Sequence, residues 1–399
     1  MLYFDHCAST PPHEEVIRTL ADVMKLHYAN PSSIHRAGAE AAKLMERSRV
    51  LAAGLFGTKP KEWVFTSGGT ESNNLAVKGA ARAFRSRGNH LVTSQIEHPS
   101  VYEAFRSLER EGFRVTYIPV SETGHVDVRD VQAALTDDTI LVSIMHVNNE
   151  TGAIQPVEAI GRLLKGRPKT LFHVDGVQST GKLAVEPVDW GIDLFTVSAH
   201  KLRGPKGAGW LYVRDGVGLE ALLHGGDQEG GLRAGTENVP AIVASAKALR
   251  LAIESQPERE SRMYALRARL LRGIDGIAEL VPSGPAAEAD EGGRGTVDAP
   301  MAPHIVHFCY PGMKPEVAIH LLEKHGVVAS TKSACSSRQD NPSRVLLAMG
   351  REGACAAGGI RLSLGDEHDD RAIDLLTERL ATVVRKLKPL EKRGAERDV

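Results

Sequence analysis

The sequence predicts an α/β protein built in two parts, and three features carry this prediction. Between Glu62 and Val213, short β-branched or aromatic runs alternate with helix-like stretches, which indicates a mainly parallel sheet covered by helices on both faces. From His304 onward a second, shorter alternation of the same kind begins. Polar side chains directly follow several strand-like runs, and sheets of this class bind ligands outside the carboxyl ends of their strands.

Length and composition limit the function before any motif is considered. With 399 residues and 42% hydrophobic content, the chain can bury a large core, and more than one domain is expected. Lys and Arg total 49 against 50 for Asp and Glu, so no overall charge would hold the protein on nucleic acid or anionic lipid. The start, "MLYFDHCASTPP", has no basic opening and no long apolar segment. We therefore expect a cytoplasmic protein with a small or charge-balanced partner.

The first alternation defines the larger part of the predicted fold. A helix-like stretch covers Thr70 to Phe84, and long helical patterns run from Val239 to Ile277. The stretch "VPSGPAAEADEGGRGTVDAPMAP" that follows predicts a mobile surface loop. The predicted strands are Trp63 to Thr66, Leu91 to Ser94, Val115 to Ile118, Ile140 to Met145, Leu171 to Val174 and Leu194 to Val197.

The second alternation predicts a smaller α/β domain, completed by the N-terminal residues. It consists of the strand "HIVHF", a helix from Pro315 to His325, the strand "GGIRLSL" and a helix from Asp370 to Leu387. We expect residues 12–255 to form the large domain and residues 1–11 and 256–390 to form the small one, with 391–399 as a solvated tail.

The cysteines have no paired spacing. Cys7, Cys309, Cys335 and Cys355 lie far apart, which suggests neither a disulfide framework nor a zinc site, and we expect no metal. Cys309 and Cys355 are predicted to be buried structural residues. Cys335 lies in the polar segment "STKSACSSRQDNPSR", so it is expected to be accessible and to act alone as a thiol.

Polar groups at the strand ends form the candidate site. Each has an ordinary structural explanation, as a helix cap or a solvated strand terminus, but together they would meet in one crevice. A helix start offers backbone N–H groups and the positive end of a dipole to an anion. The groups are Gly69 and Thr70 at a helix start, His98 before Pro99, Asn148 and Asn149, Asp175 and Gln178, and Ser198, His200 and Lys201.

This set fits pyridoxal 5′-phosphate. The cofactor needs an amine for the Schiff base, a carboxylate that keeps its pyridine nitrogen protonated, and donors for its phosphate. Lys201, Asp175 and the group Thr70, Ser198 and His200 can fill these roles. Gly204 and Gly207 then let the backbone turn sharply beyond Lys201.

At these residues the sequence resembles the cysteine desulfurases of the NifS/IscS type. The motifs occur in the expected order from residue 30 to residue 365: "NPSSIH", "TSGGTESNN", "IEHPSV", "MHVNNETG", "HVDGVQSTGK", "SAHKLRGPKGAG", "RAGTEN", "SACSS" and "IRLSLG". The resemblance implies the fold of type I PLP-dependent transferases, with a mainly parallel seven-stranded sheet in the large domain. It also implies a homodimer with shared active sites, and conversion of L-cysteine to L-alanine while sulfur passes to an enzyme cysteine.

The resemblance also implies individual roles. Lys201 binds the cofactor aldehyde, Asp175 pairs with the ring nitrogen, and His98 stacks on the ring and moves protons. Arg361 binds the substrate carboxylate, a task that suits its bidentate fork, and Cys335 accepts the sulfur. The remaining implied contacts are Gln178 on the ring hydroxyl, Asn149 near ring and substrate, Gly69, Thr70, Ser198, Ala199 and His200 on the phosphate side, and Thr236 from the other subunit.

Some residues depart from the family pattern, and alternatives remain. Cys7 stands where relatives have a small non-thiol residue, which leaves open an auxiliary sulfur or redox role. Lys332 could lower the thiol pKa of Cys335 or contact an acidic acceptor, and the loop at 284–302 has no assigned function. The alternatives are a selenocysteine lyase, a small-acid aminotransferase, or a relay subunit that keeps the fold only for binding. The resemblance also implies a sulfur-acceptor protein, and because relatives serve iron–sulfur scaffolds, tRNA-thiolation enzymes and thiamine-pathway carriers, the sequence leaves the choice among them open.

Overall fold

The large sheet has seven strands, of which the central ones are parallel. The structure is a computed structural model, and it describes residues 1–285, 292–331, 342–351, 353–357 and 359–395. In spatial order the sheet is β2-β8-β7-β6-β5-β3-β4. The strands are β2 (Trp63–Thr66), β3 (His90–Ser94), β4 (Arg114–Ile118), β5 (Thr139–Ser143), β6 (Leu171–Asp175), β7 (Leu194–Ser198) and β8 (Gly209–Val213).

The pairing confirms the predicted α/β class. Strands β4, β3, β5, β6 and β7 run parallel to one another, while β8 pairs antiparallel with both β7 and the edge strand β2. Every residue of β3, β5, β6 and β7 is buried, because helices cover both faces of the sheet. One face packs under Val16, Phe56 and Leu249, and the other under Val101 and Phe105.

Helices surround this sheet and continue into the second part of the chain. The predicted helix at residues 70–84 is continuous in space, although its middle turn, Leu75–Gly79, is a π-helix. The α-helices are α1 (Glu14–Leu26), α2 (Arg36–Phe56), α3 (Gly69–Asn74), α4 (Ala80–Ala83), α5 (Pro99–Arg110), α6 (Val128–Ala134), α7 (Val157–Leu164), α8 (Val239–Glu254), α9 (Gln256–Asp275), α10 (Pro315–Lys324), α11 (Arg344–Ala348), α12 (Gly353–Ala357) and α13 (Asp370–Ala395). None of the described helices is long and apolar enough to cross a bilayer.

A second sheet and core lie beyond α9. Three antiparallel strands run in the order β12-β10-β9, and β1 pairs in parallel with β11, so the N-terminus joins this part of the molecule. Phe4, Phe308 and Leu380 share its core. The domain boundaries at residues 11/12 and 255/256 remain a prediction. The strands are β1 (Leu2–Tyr3), β9 (Val281–Pro282), β10 (Ile305–Cys309), β11 (Val327–Val328) and β12 (Gly359–Ser363).

Two predictions are wrong in this part. The stretch at 281–303 is not only a surface loop, because Met301 and Ala302 at its end are fully buried and Ala153 forms a bridge with Met301. The cysteines are not all unpaired, because Cys309 at the end of β10 forms a disulfide with Cys355 in α12. Their sequence separation of 46 gives no sign of this pairing, which depends on how α12 packs beside the sheet. Cys7 is a buried free thiol.

Candidate active site

Most of the predicted site residues line one crevice at the carboxyl ends of the central strands. The crevice contains a cavity of about 150 Å³. Its walls come from the strand ends of the large sheet and from the N-terminal segment and β12 of the second part. The predicted residues that line it are Gly69, Thr70, His98, Asn149, Asp175, Gln178, Ser198, His200, Lys201 and Arg361, and Cys7 joins them.

Lys201 reaches the crevice from a single helical turn after β7. The strand ends at Ser198, and Ala199–Lys201 forms a 3₁₀ turn. The Lys201 ammonium donates hydrogen bonds to the carbonyls of Cys7 and, at 2.8 Å, Ala8. Beyond the turn, Gly207 has φ +76°, a conformation that L side chains rarely adopt.

Asp175, the last residue of β6, is a buried carboxylate with fixed orientation. Its Oδ2 accepts a 2.7 Å hydrogen bond from Nδ2 of Asn73, and its Oδ1 accepts one of 3.0 Å from the Val177 N–H. Burial raises the pKa of Asp175, although these hydrogen bonds and the charge of Lys201 oppose the rise. A cationic partner would therefore be favourable at this carboxylate.

His98 is held by the first turn of α5. Its Nδ1 accepts a hydrogen bond from the Ser100 N–H at 3.2 Å and lies 2.8 Å from Ser100 Oγ, so the neutral ring carries its proton on Nε2. Burial, with the charges of Lys201, Arg344 and Arg361, lowers the pKa of His98 to about 4. The ring is neutral at pH 7 and presents an uncharged face to the crevice.

The part of the crevice lined by Thr70, Ser198 and His200 suits an anion. Thr70 lies in the first turn of α3, where backbone N–H groups lack helical partners. Ser198 and His200 supply further donors on the same wall. The wall needs Gly209, because a Cβ there would lie 2.4 Å from Cα of Gly68. Burial lowers the pKa of His200 to about 4.

Arg361 enters the crevice from the second part of the molecule and is 1% exposed. One Nη donates to the Asn149 carbonyl at 2.8 Å, and the other forms a 3.0 Å ion pair with Asp5. Its buried Nε has no hydrogen-bond partner among the described residues. The guanidinium therefore keeps donor capacity for a carboxylate.

Sequence reasoning missed two residues that link the predicted ones. The Asn73 amide donates to Asp175 and, at 2.8 Å, to Ser100 Oγ, so a chain of hydrogen bonds joins Asp175 to His98. The motif "TSGGTESNN" contains Asn73, but only the folded chain brings it to Asp175. Ser100 gives no sequence signal beyond its place in a helix start.

Other predicted residues do not lie in the crevice. Ala199 is buried behind it, and its N–H donates to the Ala208 carbonyl at 3.1 Å, so it offers no backbone donor to a phosphate. Thr236 lines a separate surface cavity with Tyr28. Cys335 and Lys332 fall outside the described residues.

Comparisons with known proteins agree with this arrangement. Residues 2–376 match the family described as aminotransferase class-V. A cysteine desulfurase IscS from Clostridium botulinum is 40% identical over 98% of this chain and 96% of its own. A solved NifS-like protein superposes with a TM-score of 0.87 and 34% identity over 97% of this chain and all of the other. SspA in complex with cysteine gives a TM-score of 0.76 and 33% identity, over 91% of this chain and 99% of its own.

The chain thus belongs to the class-V aminotransferases, a family whose members depend on pyridoxal phosphate. Within that class, the chain belongs to the cysteine desulfurases of the NifS/IscS type.

Proposed function

We propose that this chain is a pyridoxal phosphate-dependent cysteine desulfurase, which converts L-cysteine to L-alanine and passes the sulfur to Cys335. The observation that carries the proposal is that Lys201, Asp175, His98 and Arg361 line one cavity with an anion-binding wall. An amine, a buried carboxylate, a neutral ring and a guanidinium each match a separate part of the cofactor and substrate.

The residues fit the cofactor chemically. Asp175 is buried with its pKa raised, so a protonated pyridine nitrogen would relieve the cost of its charge. Thr70, Ser198 and His200 supply phosphate donors, and Gln178 and His98 remain for the ring. When bound, pyridoxal phosphate supplies the electron sink that stabilises negative charge at the substrate Cα.

The substrate is held by its carboxylate. Arg361 is fixed from two sides by Asp5 and the Asn149 carbonyl, so its other N–H donors meet the ligand in a set orientation. An α-amino acid bound there has its amino group on the side of Lys201. The Lys201 amine then moves a proton at Cα.

The sulfur step balances without an added oxidant. The Cys335 thiolate forms a bond to the substrate sulfur, the substrate C–S bond breaks, and its electron pair stays on the carbon side, where protonation gives alanine. The enzyme keeps a persulfide. The part of Cys335 in this proposal rests on the motif "SACSS" and its polar surroundings.

We propose a homodimer in which Thr236 reaches the partner's phosphate site, in keeping with its position outside the crevice of its own chain. The persulfide is passed to an acceptor protein in the cytoplasm, in iron–sulfur cluster assembly, tRNA thiolation or a thiamine pathway.

The test compares the wild-type protein with Cys335→Ala. Brief exposure of the wild type to L-cysteine should add one sulfur, about 32 Da, to the peptide containing Cys335, and alanine should form. The variant should bind L-cysteine yet form almost no persulfide or alanine, while Cys7→Ala, Cys309→Ala and Cys355→Ala should keep most of the activity. Sulfur on Cys7 together with an active Cys335→Ala variant would refute the assignment.

A second measurement separates the remaining alternatives. Alanine and sulfide should be released from L-cysteine in the presence of a thiol reductant, whereas a selenocysteine lyase would leave L-cysteine unchanged. A small-acid aminotransferase would have no use for a thiol acceptor such as Cys335. We therefore expect this protein not to transaminate small acids. A protein without turnover would be the relay subunit.

A further inference from the structure

A second lysine, Lys182, lines a small cavity together with Lys201. Lys182 is partly buried, and its Nζ donates a 2.6 Å hydrogen bond to the backbone carbonyl of Lys201. Lys182 is the last residue of a segment that begins at Asp175 and includes Gln178. Asp175 and Gln178 of this stretch line the crevice, and Lys182 contacts the turn that carries Lys201.

The backbone around Lys182 is fixed. The Lys182 N–H donates to the Ser179 carbonyl at 3.0 Å, and Gly181 adopts φ +69°. A Cβ at Gly181 would lie 2.7 Å from Cβ of Ala252 in α8. This tight turn fixes the main chain from which the Lys182 side chain extends.

We propose that Lys182 is a positioning residue for Lys201: its ammonium group fixes the Lys201 carbonyl and places a second positive charge beside the reactive amine. The proposal rests on the proposed function. A cation close to a lysine disfavours the protonated form of that lysine, and the unprotonated amine is the form that attacks a carbonyl.

The pKa of Lys182 indicates that other positive charges, including that of Lys201, lie close to it. Burial, with the charges of Arg259 and Lys201, lowers the pKa of Lys182 to about 8, while Cys7 and Asp366 oppose this shift. At pH 7 most Lys182 is therefore protonated and can exert its charge.

Other ionisable groups surround the two amines. A small cavity contains both lysines, and its other ionisable lining residues are His6, Arg203, Arg259, His304 and Asp366. The crevice side adds Cys7, His98, Asp175, His200 and Arg361. Asp366 is already paired with Arg203 and Arg259, so it neutralises Lys182 only in part.

The experiment measures the titration of Lys201 directly, in the apoprotein, by pH-dependent competitive acylation read by mass spectrometry. Lys182→Met should raise the midpoint of Lys201 labelling by about one unit or more, which is about a tenfold loss of free amine below the midpoint. Lys182→Arg keeps the charge and the donors and should restore the wild-type midpoint. The matched control is Lys206→Met, which removes an exposed charge of the same segment and should shift the midpoint far less because solvent screens it.

A reciprocal measurement covers the case in which Lys182→Met fails to fold. Lys201→Ala should raise the labelling midpoint of Lys182 by a similar amount, because coupling between two sites acts equally in both directions. Unchanged midpoints in both experiments, or equal shifts in Lys182→Met and Lys182→Arg, would overturn the proposal. Because neither measurement needs turnover, failure of the desulfurase assignment would leave this result readable.

Discussion

The two sides of the crevice are built in different ways. On the large-sheet side, Asp175 is the last residue of β6 and Lys201 lies just beyond the end of β7, so each is placed by one of two adjacent parallel strands. On the other side, Arg361 lies within β12 and is held by Asp5, 356 positions away in the sequence. The large-sheet side is positioned by the local direction of the chain, and the other side is positioned by packing between residues far apart in the sequence. Substitutions on the two sides should therefore have different effects on activity.

The largest effect is expected on the large-sheet side. Lys201→Ala removes the amine that binds the cofactor and moves the proton, so alanine formation from L-cysteine should fall to background. The measurement is turnover, with circular dichroism to show that the fold is intact. A variant that forms alanine at the wild-type rate would exclude the assigned role.

Asp175→Asn should reduce kcat by several orders of magnitude. The amide preserves the shape but removes the charge that keeps the ring nitrogen protonated, so the electron sink is weaker. Phosphate contacts should persist, and the variant should still retain cofactor through dialysis, as judged by absorbance. A near-normal kcat would show that the carboxylate has only a structural part.

Arg361→Lys tests the opposite side of the crevice and should act mainly on KM. Lysine keeps the charge but loses the planar fork, so we expect KM for L-cysteine to rise about 10–100-fold with a smaller change in kcat. Arg262→Lys, on a partly exposed arginine outside the crevice, is the matched control. Equal losses in kcat from both variants would contradict the assignment of substrate binding to Arg361.

The smallest effect on activity is expected at a second buried carboxyl, Glu97, whose titration changes the stability of the fold. Burial raises the pKa of Glu97 to about 8, and its Oε2 has no hydrogen-bond partner among the described residues. Because the folded-state pKa is raised, the unfolded state loses its proton first, and this group lowers stability as the pH rises from about 4.5 to about 8. Its slope reaches about 1.4 kcal/mol per pH unit.

Glu97→Gln removes this titration. The variant should match the wild type near pH 4, below the ordinary pKa of the group, and exceed it in free energy of unfolding near pH 8, as measured by urea denaturation across that range. Glu103→Gln, at an exposed position of α5, should leave the slope unchanged. Identical slopes in wild type and Glu97→Gln would show that Glu97 does not titrate in this window.

The contrast between the two sides also explains what the sequence could predict. Most of the crevice was predicted because a strand end and its next few residues are neighbours in both sequence and space. The Asn73–Asp175 contact spans 102 positions, and it depends on α3 packing over β7 and β8 of the large sheet. The contact of Lys182 with the Lys201 carbonyl and the Cys309–Cys355 disulfide likewise depend on packing, which no local pattern of residue types encodes.

The Cys309–Cys355 disulfide changes the covalent topology of the protein. It closes a loop of the chain that contains Cys335 by sequence, so a protease cut anywhere between residues 310 and 354 leaves one covalent molecule until a reductant is added. A thiol reductant that releases sulfur from a persulfide opens this loop as well if it reduces the disulfide. Turnover assays under such a reductant then measure the open chain, and persulfide mapping without reductant measures the closed one.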